Sequence, residues 1–123
     1  MRLETEDGRA LKINAWNWGV LHDIVAKRKL FSDDVWGPKR GNGGGALEPD
    51  QVRTLVEFLE HDVLPYLAPG ERLYHDGSVT NVPDDGTFFR EEADLWRNYS
   101  LQHEVLADAI AFLRAARGPV RFF

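Results

Sequence analysis

The chain has 123 residues, a hydrophobic fraction of 43%, a charged fraction of 28% and a formal net charge of −5 at pH 7. These values are typical of a folded globular protein and argue against a chain that is disordered throughout. A protein that binds the phosphate backbone needs a basic surface, so the acidic balance argues against nucleic acid as a partner. The absence of cysteine excludes disulfides, thiolate metal ligands and cysteine nucleophiles.

No apolar run approaches the ~18 residues that a membrane-spanning helix needs. The first four residues, MRLE, do not begin a secretory signal peptide. We therefore expect a cytoplasmic protein without a membrane partner. The length predicts one globular domain over residues 1–123.

The first part of the chain predicts a β-hairpin followed by a helix. Apolar and polar residues alternate on both sides of Asp7-Gly8 in residues 2–13, a pattern typical of two strands joined by a tight turn. The following helix is predicted to end at about Lys29, with Asn14 or Asn17 as its N-cap. Its apolar arc is wide, which indicates contacts on more than one side.

The middle of the chain predicts a loop followed by the clearest amphipathic helix. Residues 31–47 are predicted to form a long loop, flexible over residues 37–47 because of its glycines, with Trp36 packed against the core. Residues 48–67 place their apolar side chains on one narrow stripe, and Pro49 suits the first turn.

The last third predicts an irregular or inserted segment at 69–95, which contains a hairpin around Asp76-Gly77. A helix is predicted over 101–116 with Ser100 as N-cap, and a strand over 120–123 beside the N-terminal hairpin. The predicted fold class is α+β, with three main helices and a small antiparallel sheet from the two chain ends. A mainly α-helical fold with incidental hairpins is the alternative.

One combination of residues suggests metal chemistry. The order His22, His61-Asp62, Asp108 satisfies the loose pattern of metal-dependent HD-type phosphohydrolases, whose imidazoles and carboxylates hold ions that activate water. On helical wheels, however, His22 and His61 fall on polar arcs, whereas metal ligands must converge in a pocket. Surface histidines are therefore the preferred interpretation, and we predict no cofactor.

Large apolar side chains that lie off the packing stripes suggest a protein-binding surface. Phe58 and Leu64 fall away from the core face of their helix, and Trp16 and Trp18 lie about 200° apart on an α-helix, so one flat face does not bury both. Glu104 and Asp108 form an acidic strip with alanines on the last helix. The predicted partner-binding residues are therefore Trp18, Phe58, Leu64, Glu104 and Asp108.

Three segments carry a resemblance to known proteins. NAWNWG before a helix, a Gly/Asn loop leading into EPDQVRTLVEFLE, and the ending FLRAARGPVRFF together resemble a family of small uncharacterised bacterial proteins. The resemblance covers most of the chain except about residues 69–95, and it implies no activity and no functional residue.

The leading functional prediction is a non-catalytic protein-interaction module of the immunity-protein or regulator type. Its partner is expected to be another protein or a second copy of the chain. A divalent-metal phosphohydrolase using His22, His61, Asp62 and Asp108 is the alternative.

Overall fold

The computed structural model describes residues 1–41 and 43–123, so Asn42, within the predicted flexible loop, lies outside the described residues. It is an α+β structure, which confirms the predicted fold class. The strands are β1 (Arg2–Thr5), β2 (Ala10–Lys12), β3 (Ala46–Leu47), β4 (Arg72–Tyr74), β5 (Val79–Thr80), β6 (Ser100–Gln102) and β7 (Val120–Phe122). The α-helices are α1 (Ala15–Arg28), α2 (Asp33–Trp36), α3 (Pro49–Phe58) and α4 (His103–Ala115).

The larger sheet has the strand order β2-β1-β7-β3, and every pairing in it is antiparallel. The predicted hairpin and C-terminal strand are both confirmed, since Leu3 pairs with Leu11 on one side and with Phe122 on the other. Alternation buries Leu3, Val120 and Phe122 on one face, as a half-buried sheet requires. Gly8, at φ 86°, supplies the turn.

The smaller sheet, β5-β4-β6, corrects the predicted start of the last helix. Ser100 is not an N-cap, because it lies in β6, and α4 begins at His103. The strand forms because Leu101 pairs with Leu73 and is fully buried, while the Ser100 hydroxyl accepts a hydrogen bond from Arg72 Nη1 at 3.1 Å. The predicted hairpin around Asp76-Gly77 is confirmed as β4 and β5.

Helix caps follow the sequence signals. The Asn14 side chain accepts a hydrogen bond from the Asn17 backbone N–H at 2.9 Å, which settles the N-cap of α1. At α3, Pro49 occupies the first turn, and Glu48 and Gln51 form a capping box. After Phe58 the helix continues as a π-helical turn (Leu59–Val63) and a 3₁₀ turn (Leu64–Tyr66).

The predicted loop at 31–47 is more ordered than expected. It contains α2, a 3₁₀ turn over Gly37–Arg40 and β3, which pairs with β7 at the edge of the larger sheet. Trp36 packs into the core, as predicted, and is 2% exposed. Burial of this one large aromatic ring anchors the first half of the segment.

Among the described residues, no helix combines the length and the apolar character that crossing a membrane requires.

The approach of the 43–45 segment to β7 generates a stability prediction. A Cβ on Gly44 would lie 2.9 Å from both the Cβ and the carbonyl oxygen of Phe122. We expect Gly44→Ala to lower the free energy of unfolding by about 1–3 kcal/mol, because a buried strand must move to relieve the overlap. The measurement is the denaturant midpoint.

Gly43→Ala is the matched control, since a Cβ there meets no described atom within 4 Å. Its free energy of unfolding should stay within about 0.5 kcal/mol of the wild-type value. Equal stability of the two variants would contradict the proposed close contact.

Candidate functional site

The four residues of the alternative metal-site interpretation are not brought together by the fold. His22 is buried in the core beside Trp36, whereas His61 and Asp62 lie exposed on the π-helical turn and Asp108 lies exposed on α4. No group of three or more His, Cys, Asp or Glu side chains within residues 1–41 and 43–123 is placed to hold a metal ion. The expectation of a surface His22 is wrong, because α2 and the following turn cover that side of α1.

His22 belongs to a buried aromatic cluster. Its ring stacks on Trp36 with centroids 5.0 Å apart and an interplanar angle of 8°. Its Nε2 lies 2.8 Å from the Trp36 carbonyl, and Trp36 Nε1 donates to the His22 carbonyl at 2.9 Å. A carbonyl only accepts, so Nε2 carries the proton and Nδ1 is an unprotonated acceptor, for which the described residues offer no donor. Burial lowers the pKa of His22.

Lys39 closes this cluster on the side of the larger sheet. Its ammonium group donates to the Val35 carbonyl at 2.6 Å and lies 5.5 Å from the centre of the Phe122 ring. Its own carbonyl accepts a hydrogen bond from Trp18 Nε1 at 2.8 Å. Burial lowers the pKa of the Lys39 ammonium. These bonds hold the 37–40 turn against α1, so the aromatic cluster stabilises the fold.

The predicted partner-binding residues divide into buried and exposed positions. Trp18 and Phe58 are 4% and 7% exposed, so the prediction that they are available to a partner is wrong. Leu64 is half-buried against the core. Glu104 and Asp108 are exposed, but Glu104 also accepts a hydrogen bond from the Gly70 backbone at 3.0 Å.

Two physical reasons explain these burials. The Arg28 guanidinium lies 5.7 Å from the centre of the Phe58 ring, so the end of α1 covers that ring. Trp18 is covered by Trp36, 5.9 Å away between ring centroids. Of Trp16 and Trp18, the exposed side chain is therefore Trp16, at 39%.

An Asp–His pair joins α1 to the smaller sheet. His75 Nδ1 lies 3.2 Å from Asp23 Oδ2, and Lys27 lies 3.0 Å from the same oxygen. Burial alone would raise the pKa of Asp23, but the hydrogen bonds from Lys27 and His75 hold it below its ordinary value. Lys27 also donates to the His75 carbonyl at 3.4 Å. The pair therefore tethers the β4–β5 hairpin to α1.

A groove of about 650 Å³ lies between α3 and the end of α4. Its floor is apolar and consists of Val52 and Val56 from α3 together with Leu113 from the last turn of α4. We call it the α3–α4 groove. Helical periodicity produces the floor, since Val52 and Val56 are four residues apart on one face.

The walls of the α3–α4 groove are charged. Arg53 lies on one wall and Arg117 on the other, and both side chains are exposed. Among the described residues, neither arginine forms an ion pair. A third arginine, Arg114, contacts Glu60 at the edge of the groove. Glu57 and His61 complete the polar wall on the α3 side.

Three arginines outnumber the two glutamates in the lining of the groove, so its walls carry a small net positive charge on a chain of net charge −5. Guanidinium groups stay protonated at every physiological pH and match carboxylates in a bidentate geometry. An apolar floor between two such groups suits a ligand with both hydrocarbon and carboxylate. The sequence prediction missed this groove because Arg53 lies on α3, whereas Arg117 follows the end of α4, far away in the sequence.

Comparison with family models, with curated proteins and with solved structures finds no match to this chain. The resemblance to a family of small bacterial proteins therefore stays a prediction.

The two tryptophans near the start of α1 provide a matched test of the aromatic cluster. We expect Trp18→Phe to lower the free energy of unfolding by about 1–3 kcal/mol, because the buried Lys39 carbonyl loses its donor. Trp16→Phe should cost under about 1 kcal/mol, since Trp16 is partly exposed. Urea unfolding measures the free energy of unfolding of both variants. A larger decrease for Trp16→Phe than for Trp18→Phe would contradict the structural role given to the buried Trp18.

The lowered pKa of the buried His22 predicts a pH dependence of stability. Because burial lowers its pKa below 6.5, the unfolded chain binds a proton that the folded chain excludes. The free energy of unfolding should therefore decrease as the pH falls from 6.5 to the folded-state pKa. His22→Gln retains an amide N–H donor but does not titrate, so its stability should decrease less over this interval. Parallel pH profiles for the two proteins would show that His22 is not responsible.

Proposed function

We propose that this protein is a non-catalytic binding module whose α3–α4 groove holds an acidic, partly apolar segment of a partner protein. The observation that carries the proposal is an apolar floor between Arg53 and Arg117, which are exposed and form no ion pair with any described residue, on a chain of net charge −5. In this proposal the protein acts by binding its partner without catalysing a reaction, as an immunity protein or a regulator does.

The shape of the groove favours a protein segment as ligand. A valley between two packed helices accommodates an amphipathic helix, whose anchors recur at i, i+3 or i+4 and i+7. Its apolar side chains would cover Val52, Val56 and Leu113. Its carboxylates would face Arg53 and Arg117, where a bidentate pair adds geometric specificity as well as energy.

The chemistry of the walls favours binding over reaction. A guanidinium group donates hydrogen bonds and stays protonated at physiological pH, so it orients a carboxylate without acting as a general acid or base. The net negative charge of the chain repels an acidic partner at long range. That repulsion is screened over about 8 Å at physiological ionic strength, whereas the contacts inside the groove are shorter and persist.

A synthetic helical peptide with leucines on one face and glutamates on its flanks is the probe for this groove. We expect it to shift the backbone amide signals of Val52, Val56 and Leu113 in a nitrogen–proton correlation spectrum. A peptide in which every glutamate is lysine should bind at least about tenfold more weakly, which is a difference of 1.4 kcal/mol.

Arg53→Glu and Arg117→Glu test the two walls. Each should weaken binding of the glutamate peptide at least about tenfold, because an attractive contact becomes repulsive. Lys12→Glu is the matched control, since it makes the same charge change on an exposed residue of β2, outside the groove lining, and should leave the affinity unchanged.

Circular dichroism and thermal melting verify that the three variants fold. Equal binding of the glutamate and lysine peptides, or equal weakening by all three substitutions, would contradict the proposed function.

A further inference from the structure

The chain carries its own acidic and apolar segment. This segment is residues 91–96, EEADLW. Glu91 precedes a 3₁₀ helix at Glu92–Asn98, and residues 92–96 form the first part of that helix. Leu95 and Trp96 are 41% and 42% exposed there, and Glu91 and Glu92 are exposed beside them. We call residues 91–96 the acidic segment. Leu95 and Trp96 are therefore available to contact a partner beside two carboxylates.

Charge is concentrated in this region. Residues 82–97 contain five carboxylates and only two arginines, whereas the whole chain has a formal net charge of −5. One of those arginines, Arg97, lies 4.1 Å from the centre of the Phe89 ring and 4.0 Å from Asp94. Neither Glu91 nor Glu92 forms an ion pair with any described residue.

The acidic segment is already held in shape. The Asn98 side chain donates to the Phe89 carbonyl at 2.8 Å and accepts from the Phe89 backbone N–H at 2.7 Å. The Trp96 ring packs edge-on against Tyr74, with centroids 5.1 Å apart. A segment that is fixed before binding loses less conformational entropy on association than a mobile one.

The acidic segment does not fill the groove of its own chain, because the two lie at opposite ends of α4. The segment precedes β6, which leads directly into the first residue of α4. The residues of α4 and its C-terminal extension that line the groove begin at Leu113, in the last turn. A helix of 13 residues is about 20 Å long.

We infer that a second copy of this chain occupies the α3–α4 groove, with the acidic segment of one copy against Arg53 and Arg117 of the next. This inference rests on the proposed function and names the partner. Leu95 and Trp96 cover the apolar floor, and Glu91 and Glu92 face the guanidinium groups. The two contacting surfaces differ, so the association is head-to-tail and extends into chains or closes into a ring.

Analytical ultracentrifugation over a range of concentrations tests the inference with the whole chain. The wild type should form dimers or larger species as its concentration rises. The groove variant, Arg53→Glu with Arg117→Glu, and the segment variant, Glu91→Lys with Glu92→Lys, should each sediment as monomers. Lys12→Glu should associate as the wild type does.

Mixing the two inactive variants gives the decisive result. Each variant keeps one unchanged surface and has one surface of reversed charge. The unchanged acidic segment of the groove variant can therefore bind the unchanged groove of the segment variant, which forms a dimer. The reversed pair is itself complementary, since glutamates in the groove now face lysines on the segment. The mixture should therefore regain association at least about tenfold in apparent affinity over either variant alone. A chain with all four substitutions should also associate.

A wild type that stays monomeric at every concentration, or variants that do not recover on mixing, would overturn the inference. Loss of glutamate-peptide binding in the groove variant would then still support the proposed function. Failure of the peptide to bind, together with charge-dependent recovery on mixing, would show that the groove accepts only the chain's own segment.

Discussion

The burial of α1 on both of its long sides is the constraint on which the rest of the structure depends. On one side, Gly19 lets the Tyr99 ring approach so closely that a Cβ would lie 3.1 Å from it. On the other side, Trp18 and His22 are covered by Trp36. The smaller sheet and the segment after α1 are therefore fixed relative to one helix. Its wide apolar arc requires this double cover, since a single face would leave bulky side chains in water.

Local signals predicted much of this architecture. Asp7-Gly8 favours a tight turn, and the alternating residues beside it are typical of half-buried strands, so the hairpin was accessible. Its register was not, since the strands pair Leu3 with Leu11, whereas a two-residue turn at Asp7-Gly8 would pair Leu3 with Lys12. Pro49 and Asn14 marked two helix starts through the donors that a helix leaves unpaired. A terminal strand beside the hairpin was accessible because an isolated hairpin needs a further partner.

Features that depend on distant residues were not accessible. β6 forms because it pairs with β4, which is distant in the sequence. The helix predicted over 101–116 includes its residues from 101 onward, so the strand was not predicted. The π-helical turn at Leu59–Val63 adds a residue to one turn, so a 100° wheel misplaces Leu64, which packs against the core. His22 looked polar because nothing in its own helix reveals that Trp36 stacks on it. The groove combines arginines from α3 and from the end of α4, which no single pattern joins.

The pairing of β1 with β7 has a consequence for folding. Leu3 lies opposite Phe122, so the two central strands of the larger sheet come from positions separated by almost the whole chain. Such a contact closes a long loop, and its entropic cost must be met before the pairing stabilises anything. Helices and hairpins therefore form first, and the central pair joins late. Until it does, β1 exposes an unpaired edge, at which a strand of another chain can pair.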